Sequence, residues 1–242
     1  MRLDVYLAEK KICASRTAAA RLIDEGGVSV NGKTAKKASF DVSEEDEIFV
    51  CDEKQLKYVG RGGLKLERAI AAFGLDLNGK ECLDIGASTG GFTDCMLQNG
   101  AKRVYAVDVG TNQLAEKLRS DKRVISLENT DIRDFFLNSE ADFIGADVSF
   151  ISLKLILPHI FRLLKSGGEA VVLIKPQFEV GKRNLLTKKG VVRDEKLRLK
   201  IVEELKNFAE QCGFKLIGTE ISPITGGDGN VEFLLGLRKD SL

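Results

Sequence analysis

Apolar positions first recur every three or four residues, then every second residue. LDVYLAEKK puts Leu3, Tyr6 and Leu7 on one helical face. Ser15 precedes RTAAARLI and predicts the cap of a second helix, whose apolar side is Ala18, Ala19, Leu22 and Ile23. Gly26–Gly27 stops that helix. VSVNG predicts a short strand turning at Asn31–Gly32, a strong hairpin signal, and alternating DEIFV runs to Val50. The pattern predicts a compact α+β unit over 1–50 and a linker over 51–62.

The remainder, 63–242, has another rhythm. LKLERAIAAFGL reads as a helix through Leu64, Leu66, Ala69, Ile70 and Phe73. Seven runs then read as strands: ECLDIGA, RVYAVDVG, VISLENTDI, DFIGADVSF, EAVVLIK, FKLIGTEI and VEFLLGLRK. Helical patterns fill 90–99, 111–119, 153–165 and 195–212. Such alternation predicts an α/β fold with a parallel sheet covered on both faces. SPITGGDGN joins the last two strands without a helix, so one late strand runs antiparallel.

Composition narrows the function classes. With 242 residues, 43% hydrophobic and 30% charged, the chain has room for one large domain, or for one medium and one small. Cys13, Cys51, Cys82, Cys95 and Cys212 form no CxxC pair, and His159 is the single histidine. Neither a zinc site nor a disulfide framework is indicated, and reduced thiols fit a cytoplasmic protein. His159 lies in an apolar helical pattern and reads as structural. MRLDVYLAEKKI lacks the apolar stretch of a secretory signal, and no run approaches the roughly 18 apolar residues of a membrane helix. A membrane-inserting role has no support in this composition.

The net charge is only +1, so charge matters locally. Residues 10–37 carry Lys10, Lys11, Arg16, Arg21, Lys33, Lys36 and Lys37 against Asp24 and Glu25, whereas 41–53 is wholly acidic in its charges. A basic helix–hairpin face would match a phosphate backbone; a solvated surface explains the same charges equally well. The order of LDxYL, SRTxAARLIxxGxVxVNG and DEIFV resembles the alpha-L RNA-binding domain, the type found in ribosomal protein S-four. That resemblance implies binding to structured RNA.

DIGASTGGF, 84–92, is a strand, a glycine turn and the start of a helix, without the GxGxxG fingerprint. Gly86, Gly90 and Gly91 would let backbone approach a ligand. Asp84 suits an amine-bearing ligand better than a pyrophosphate. Asp108, ending the second strand, could accept both ribose hydroxyls of a nucleoside. Asp131 follows the third strand and could meet an adenine amino group. Together these resemble the S-adenosylmethionine site of a Rossmann-like methyltransferase. The implied cofactor set is Asp84, Gly86, Ser88, Gly90, Gly91, Phe92, Asp108 and Asp131.

LIKPQFE ends a buried strand in Lys175, and Pro176 keeps that lysine extended. Its side chain should project from the carboxyl edge of the sheet. Asp147 ends the neighbouring strand, Lys65 starts the helix before the sheet, and Glu232 opens the final strand. Lys65, Asp147, Lys175 and Glu232 resemble the Lys-Asp-Lys-Glu tetrad of ribose 2′-O-methyltransferases. With RGGLKL, DIGASTGGFTD and IKPQFE, the whole chain resembles the TlyA, or haemolysin A-like, family. The resemblance implies methylation of a cytidine 2′-hydroxyl in ribosomal RNA, with the ribosomal RNA or subunit as partner and no metal or membrane required. The short C-terminus leans toward large-subunit RNA.

That chemistry suits these residue types. A ribose hydroxyl is a poor nucleophile that must attack a sulfonium methyl in line, so alignment supplies much of the rate. A positioned base adds roughly 10²–10⁴-fold. Lys175 is expected as base or hydroxyl orienter, positioned by Asp147 and Glu232, with Lys65 balancing charge and supporting substrate. Lys65 would push the Lys175 pKa down and the two acids would push it up, which leaves its protonation state open.

Residues 181–200 are strongly basic and follow Lys175, so they either grip phosphates or form a solvated helix entry. Lys182, Arg183, Lys188 and Lys189 join Arg61 and the seven N-terminal bases as RNA-contact candidates. Phe178 could stack on an extruded base, though burial preferences favour the core. A noncatalytic RNA-binding or ribosome-assembly factor is the competing reading, and a membrane-active haemolysin a third.

Overall fold

The computed structural model describes residues 1–13, 15–24, 26–35, 37–50, 57–137, 139–181, 187, 190–226 and 229–240, with Arg21 and Asp24 described by backbone alone. The chain divides into two compact units, Met1–Arg61 and Gly62–Leu242.

In the first unit, α1 (Leu3–Glu9) and α2 (Arg16–Asp24) pack over a small sheet. Ser15 accepts the Ala18 N–H at 3.1 Å, as its place before the apolar run predicts. The sheet has β1 (Val28–Val30) between β2 (Lys33–Thr34) and β3 (Ile48–Val50), both antiparallel to it. Asn31 and Gly32 turn the hairpin with φ of 52° and 73°, a left-handed pair that Asn-Gly tolerates. Leu3, Leu7, Ala19, Leu22, Ile23, Val28 and Val30 form its core.

The second unit opens with α3 (Gly62–Phe73), ended by Gly74 at φ 64°. Then follow β4 (Glu81–Ile85), α4 (Gly91–Gln98), β5 (Arg103–Val107), α5 (Glu116–Arg119), β6 (Val124–Leu127) and β7 (Ala141–Ala146). After a short 3-10 turn (Leu153–Leu155) come α6 (Leu157–Leu163), β8 (Leu164–Ile174), α7 (Pro176–Glu179), α8 (Glu195–Gln211), β9 (Phe214–Ile221) and β10 (Phe233–Lys239).

The seven strands form one sheet in the order β6-β5-β4-β7-β8-β10-β9. β10 alone runs against its neighbours, pairing antiparallel with β8 and β9. The chain reverses its direction of sheet growth between β4 and β7, which opens a crevice at their carboxyl ends. Leu83, Ile85, Ile144, Val172, Ile174 and Leu235 are buried in its main core, each stabilising by about 1.5–3 kcal/mol.

Two predicted helices are cut short for visible reasons. The pattern over 111–119 yields only α5, because Glu128 accepts the N–H groups of Asn112 (2.6 Å) and Gln113 (3.1 Å) and holds that stretch as a loop. The pattern over 153–165 splits: Leu164 and Lys165 belong to β8, where Leu164 pairs with Ala141. His159 is half-buried on α6. Glu232 stands one residue before β10, whose ladder begins with Phe233 opposite Ile174.

Candidate active site

The topology carries Lys65, Asp147, Lys175 and Glu232 to one edge. Asp147 and Lys175 follow the carboxyl ends of adjacent parallel strands, β7 and β8. Glu232 precedes the amino end of β10, and the antiparallel direction of β10 turns that end toward the same edge. Lys65 descends from the first turn of α3. Lys175 is extended at φ −112° and ψ 95°, with Pro176 starting α7 directly after it.

The four side chains form a chain of alternating charge. Lys65 Nζ donates to Glu232 Oε2 at 2.8 Å and to Asp147 Oδ2 at 3.2 Å. Lys175 Nζ stands 2.5 Å from Asp147 Oδ1, an ion pair rather than an aligned hydrogen bond, and donates to Ser149 Oγ at 2.8 Å. Lys65, Lys175 and Glu232 keep only 8%, 9% and 2% of their surface exposed, so each charge depends on its partner rather than on water. Glu232 therefore meets Lys65; the expected direct hold of Glu232 on Lys175 is replaced by a relay through Asp147.

Electrostatics follow this packing. Burial alone would lower the Lys65 pKa, but Asp147 and Glu232 outweigh it and hold the ammonium above the ordinary lysine value. Burial likewise opposes ionisation of Asp147, and the two lysines overcome it, keeping the carboxyl below its usual range.

Beside the tetrad lies the glycine turn. Asp84 is fully buried and accepts from Thr93 N at 2.9 Å and Thr93 Oγ1 at 2.6 Å, all through Oδ2. Its Oδ1 is buried without a partner, which fits an amine-bearing or cationic ligand. Burial pushes its pKa up to about 7, against the Thr93 hydrogen bonds and with help from the charges of Asp147 and Asp108. Asp108 accepts from Ser88 N and Gly110 N, both at 2.7 Å, and so staples the turn. Asp131 forms a fork with Arg133 at 2.6–3.1 Å, which holds its carboxyl down at about 2.

Two glycines serve the fold itself. A Cβ at Gly86 (φ 80°) would stand 2.7 Å from the Asp147 carbonyl oxygen, and one at Gly90 (φ 99°) would strike Leu118 and Leu114. Their close approaches are to this chain's own atoms. Ser88 holds a φ of 49°, while Gly91 and buried Phe92 begin α4.

Several site residues escaped sequence reasoning. Ser149 and Phe150 follow Asp147 directly; a hydroxyl and an aromatic just past a strand-ending acid were the available signal. Phe150 is 90% exposed with φ 63°, and its ring centroid lies 4.9 Å from that of Phe178. Phe178 is only partly buried. Thr93 and Glu128 act through backbone and hydroxyl contacts that no motif announces.

In the first unit Lys10, Lys11, Lys33 and Lys37 are exposed, while Arg61 is partly buried. Arg16 reaches Asp4 Oδ2 at 3.3 Å, and Arg2 pairs with the same acid at 2.9 Å. Asp4 is buried at 4% exposure, so part of the basic surface is tied internally. The Arg21 side chain, and Lys36, Lys182, Arg183, Lys188 and Lys189 altogether, lie outside the described residues. Among the described residues no cluster of His, Cys, Asp or Glu could hold a metal ion, and no helix is long and apolar enough to cross a membrane.

Comparison with known proteins adds to this geometry. The model of the FtsJ-like methyltransferase family matches residues 58–239, and that of the S4 domain matches 1–48. A solved Streptococcus thermophilus structure, provisionally called a hemolysin, is 45% identical with a TM-score of 0.77, covering 100% of this chain and 89% of that one. The Mycobacterium tuberculosis 16S/23S rRNA (cytidine-2′-O)-methyltransferase TlyA is 40% identical over 98% of this chain and 89% of its own length. The Campylobacter jejuni 23S rRNA (cytidine-2′-O)-methyltransferase TlyA is 39% identical over 96% of this chain and 97% of its own length. On the matched domains, the full-length relatives and the shared fold, the chain belongs to the TlyA family: FtsJ-like methyltransferases with an N-terminal S4 domain.

Proposed function

We propose that this protein methylates a cytidine ribose 2′-hydroxyl in ribosomal RNA, using S-adenosylmethionine. The observation that carries the reading is the Glu232–Lys65–Asp147–Lys175 chain standing at the sheet edge beside the orphaned Asp84 oxygen. Asp84 Oδ1 would take the amino group of the cofactor, Asp108 its ribose and Asp131 its adenine amine. Bound there, S-adenosylmethionine supplies the electrophilic methyl group.

The chain's own residues do the rest. Glu232 and Lys65 hold Asp147 in place, and Asp147 aims Lys175. Lys175 Nζ meets the incoming 2′-hydroxyl and aligns its oxygen for in-line attack. The proton released from that hydroxyl passes to the Lys175–Asp147 pair. The exposed ring of Phe150, backed by Phe178, offers a face on which an extruded base stacks. Lys10, Lys11, Lys33 and Lys37 draw RNA phosphates to the first unit.

Of the two TlyA relatives described above, one is named for 16S and 23S RNA and the other for 23S alone; the shared 23S supports large-subunit RNA as a substrate. The test is labelled methyl transfer to purified large and small subunits from cells lacking the modification, with product nucleosides identified. Label in cytidine 2′-O-methyl of the large subunit is expected. Label on a base instead of a ribose would overturn the assignment, as would none on either subunit.

A further inference from the structure

The segments that follow Asp147 and Lys175 are joined at successive points. Lys175 pairs with Asp147 and donates to Ser149 Oγ. Phe150 rests against Phe178. Farther on, Ser152 Oγ donates to Glu179 Oε2 at 2.6 Å, and Leu153 N–H donates to Glu179 Oε1 at 2.8 Å. Glu179 ends α7 and the IKPQFE run, and the proposed chemistry leaves it unused.

We propose that Glu179 is a positioning residue: its two carboxylate oxygens clasp the 148–153 turn to α7 and so set where Ser149 and Phe150 stand relative to Lys175. The inference rests on the methyl-transfer reading of this edge.

Three features support the clasp. Both oxygens of one carboxylate are engaged by consecutive residues, so the turn is fixed in direction as well as distance. Ser152 Oγ also accepts the Lys154 N–H at 3.2 Å, which leaves its own hydrogen to point at Glu179. Phe150 holds a left-handed φ that a bulky residue adopts only when its surroundings over-determine it. The clasp two residues downstream supplies that constraint. Burial raises the Glu179 pKa, while the Ser152 and Leu153 hydrogen bonds and the nearby charge of Lys154 oppose it.

The experiment uses the full chain, unmethylated large subunits and labelled S-adenosylmethionine, with Glu179→Ala, Glu179→Gln and Ser152→Ala beside Lys175→Ala. Glu179→Ala should lower kcat by about tenfold to a hundredfold, the scale expected when a reacting group is misplaced, with cofactor affinity unchanged and only a small drop in Tm from the two lost hydrogen bonds. Glu179→Gln keeps one acceptor for the Leu153 N–H and should restore part of kcat; Ser152→Ala should fall between. Unchanged kcat in Glu179→Ala would overturn the clasp, and so would parallel losses of Tm and cofactor affinity. If Glu179→Ala fails to fold, graded kcat losses in the other two support the proposal and wild-type kcat in both overturns it. Full turnover by Lys175→Ala would instead sink the methyl-transfer reading itself. An inert Lys175→Ala beside a fully active Glu179→Ala would remove the clasp alone.

Discussion

In the N-terminal unit Lys10, Lys11, Lys33 and Lys37 are exposed, whereas at the sheet edge Lys65 and Lys175 keep only 8% and 9% of their surface. The exposed lysines act through a field that salt screens within about 8–10 Å, and water satisfies them when RNA is absent. The buried lysines act through fixed partners at 2.5–3.2 Å, in a setting that salt screens far less. Under the proposed function one residue type would serve two purposes: collective attraction where it is solvated, and individual placement where it is not. Arg16 shows the boundary, since its pairing with buried Asp4 takes it partly out of the solvated set.

The comparison breaks most sharply at Lys175. Lys175→Ala should cut methyl transfer by about 10²–10⁴-fold, the usual worth of a group that orients a nucleophile and assists its proton transfer, while calorimetry finds cofactor affinity nearly unchanged. Wild-type turnover in that variant would make Lys175 a structural cation like any other.

Lys65→Ala comes next, with its main effect on stability. It leaves Glu232 and one face of Asp147 charged and unpaired in a buried place, a loss of about 3–5 kcal/mol in denaturant unfolding. Lys65→Met, which fills the space, should lose activity as well, and its unfolding midpoint should show whether shape or charge carries the stability.

Asp84→Asn sharpens the contrast between binding and stability. The folded pKa of about 7 lies above the ordinary 3.8, so the folded state holds this proton more tightly than the unfolded chain does. The resulting stability is full below the unfolded value, declines as pH rises from there to about 7, and is absent above. Asp84→Asn should therefore raise Tm in alkaline buffer, with the gain fading as pH falls through that window. It should weaken cofactor binding, and wild-type affinity should itself fall as pH drops below about 7.

Replacing Lys10, Lys11, Lys33 and Lys37 with alanine singly should give the smallest effects. Each phosphate contact removed should reduce the slope of log affinity against log salt by about 0.7–0.9, with kcat at saturating subunit unchanged. An unchanged slope would show that the lysine touches no phosphate. A fall in kcat would show that the first unit does more than attract RNA.

Local chemistry made much of this protein readable from sequence. Asn31–Gly32 turns its hairpin and Ser15 caps its helix through local preferences, and the structure finds both doing so, whereas Gly74 ends at Phe73 a helix that the pattern carried on to Leu75. The alternation of apolar runs announced the sheet, and the helix-free SPITGGDGN connection announced its antiparallel strand. Lys175–Pro176 announced an extended lysine at a strand tip, because proline restricts the residue before it whatever surrounds them. Resemblance to known motifs drew attention to Lys65, Asp147 and Glu232.

Tertiary structure alone decided the partnerships. That Glu232 holds Lys65 rather than Lys175 depends on how α3 packs over the edge where β10 begins, and no local pattern encodes it. That Gly86 and Gly90 make room for Asp147, Leu114 and Leu118 depends on the neighbouring strand and on α5 and the loop before it. Asn112 and Gln113 leave their helical pattern because Glu128, sixteen and fifteen residues away, accepts their N–H groups. Ser149, Phe150 and Glu179 gain meaning only when two strand ends lie side by side. Residue types and spacing determine which elements form, since those choices are settled over a few bonds. Distances between distant side chains emerge only when the whole sheet closes on its core.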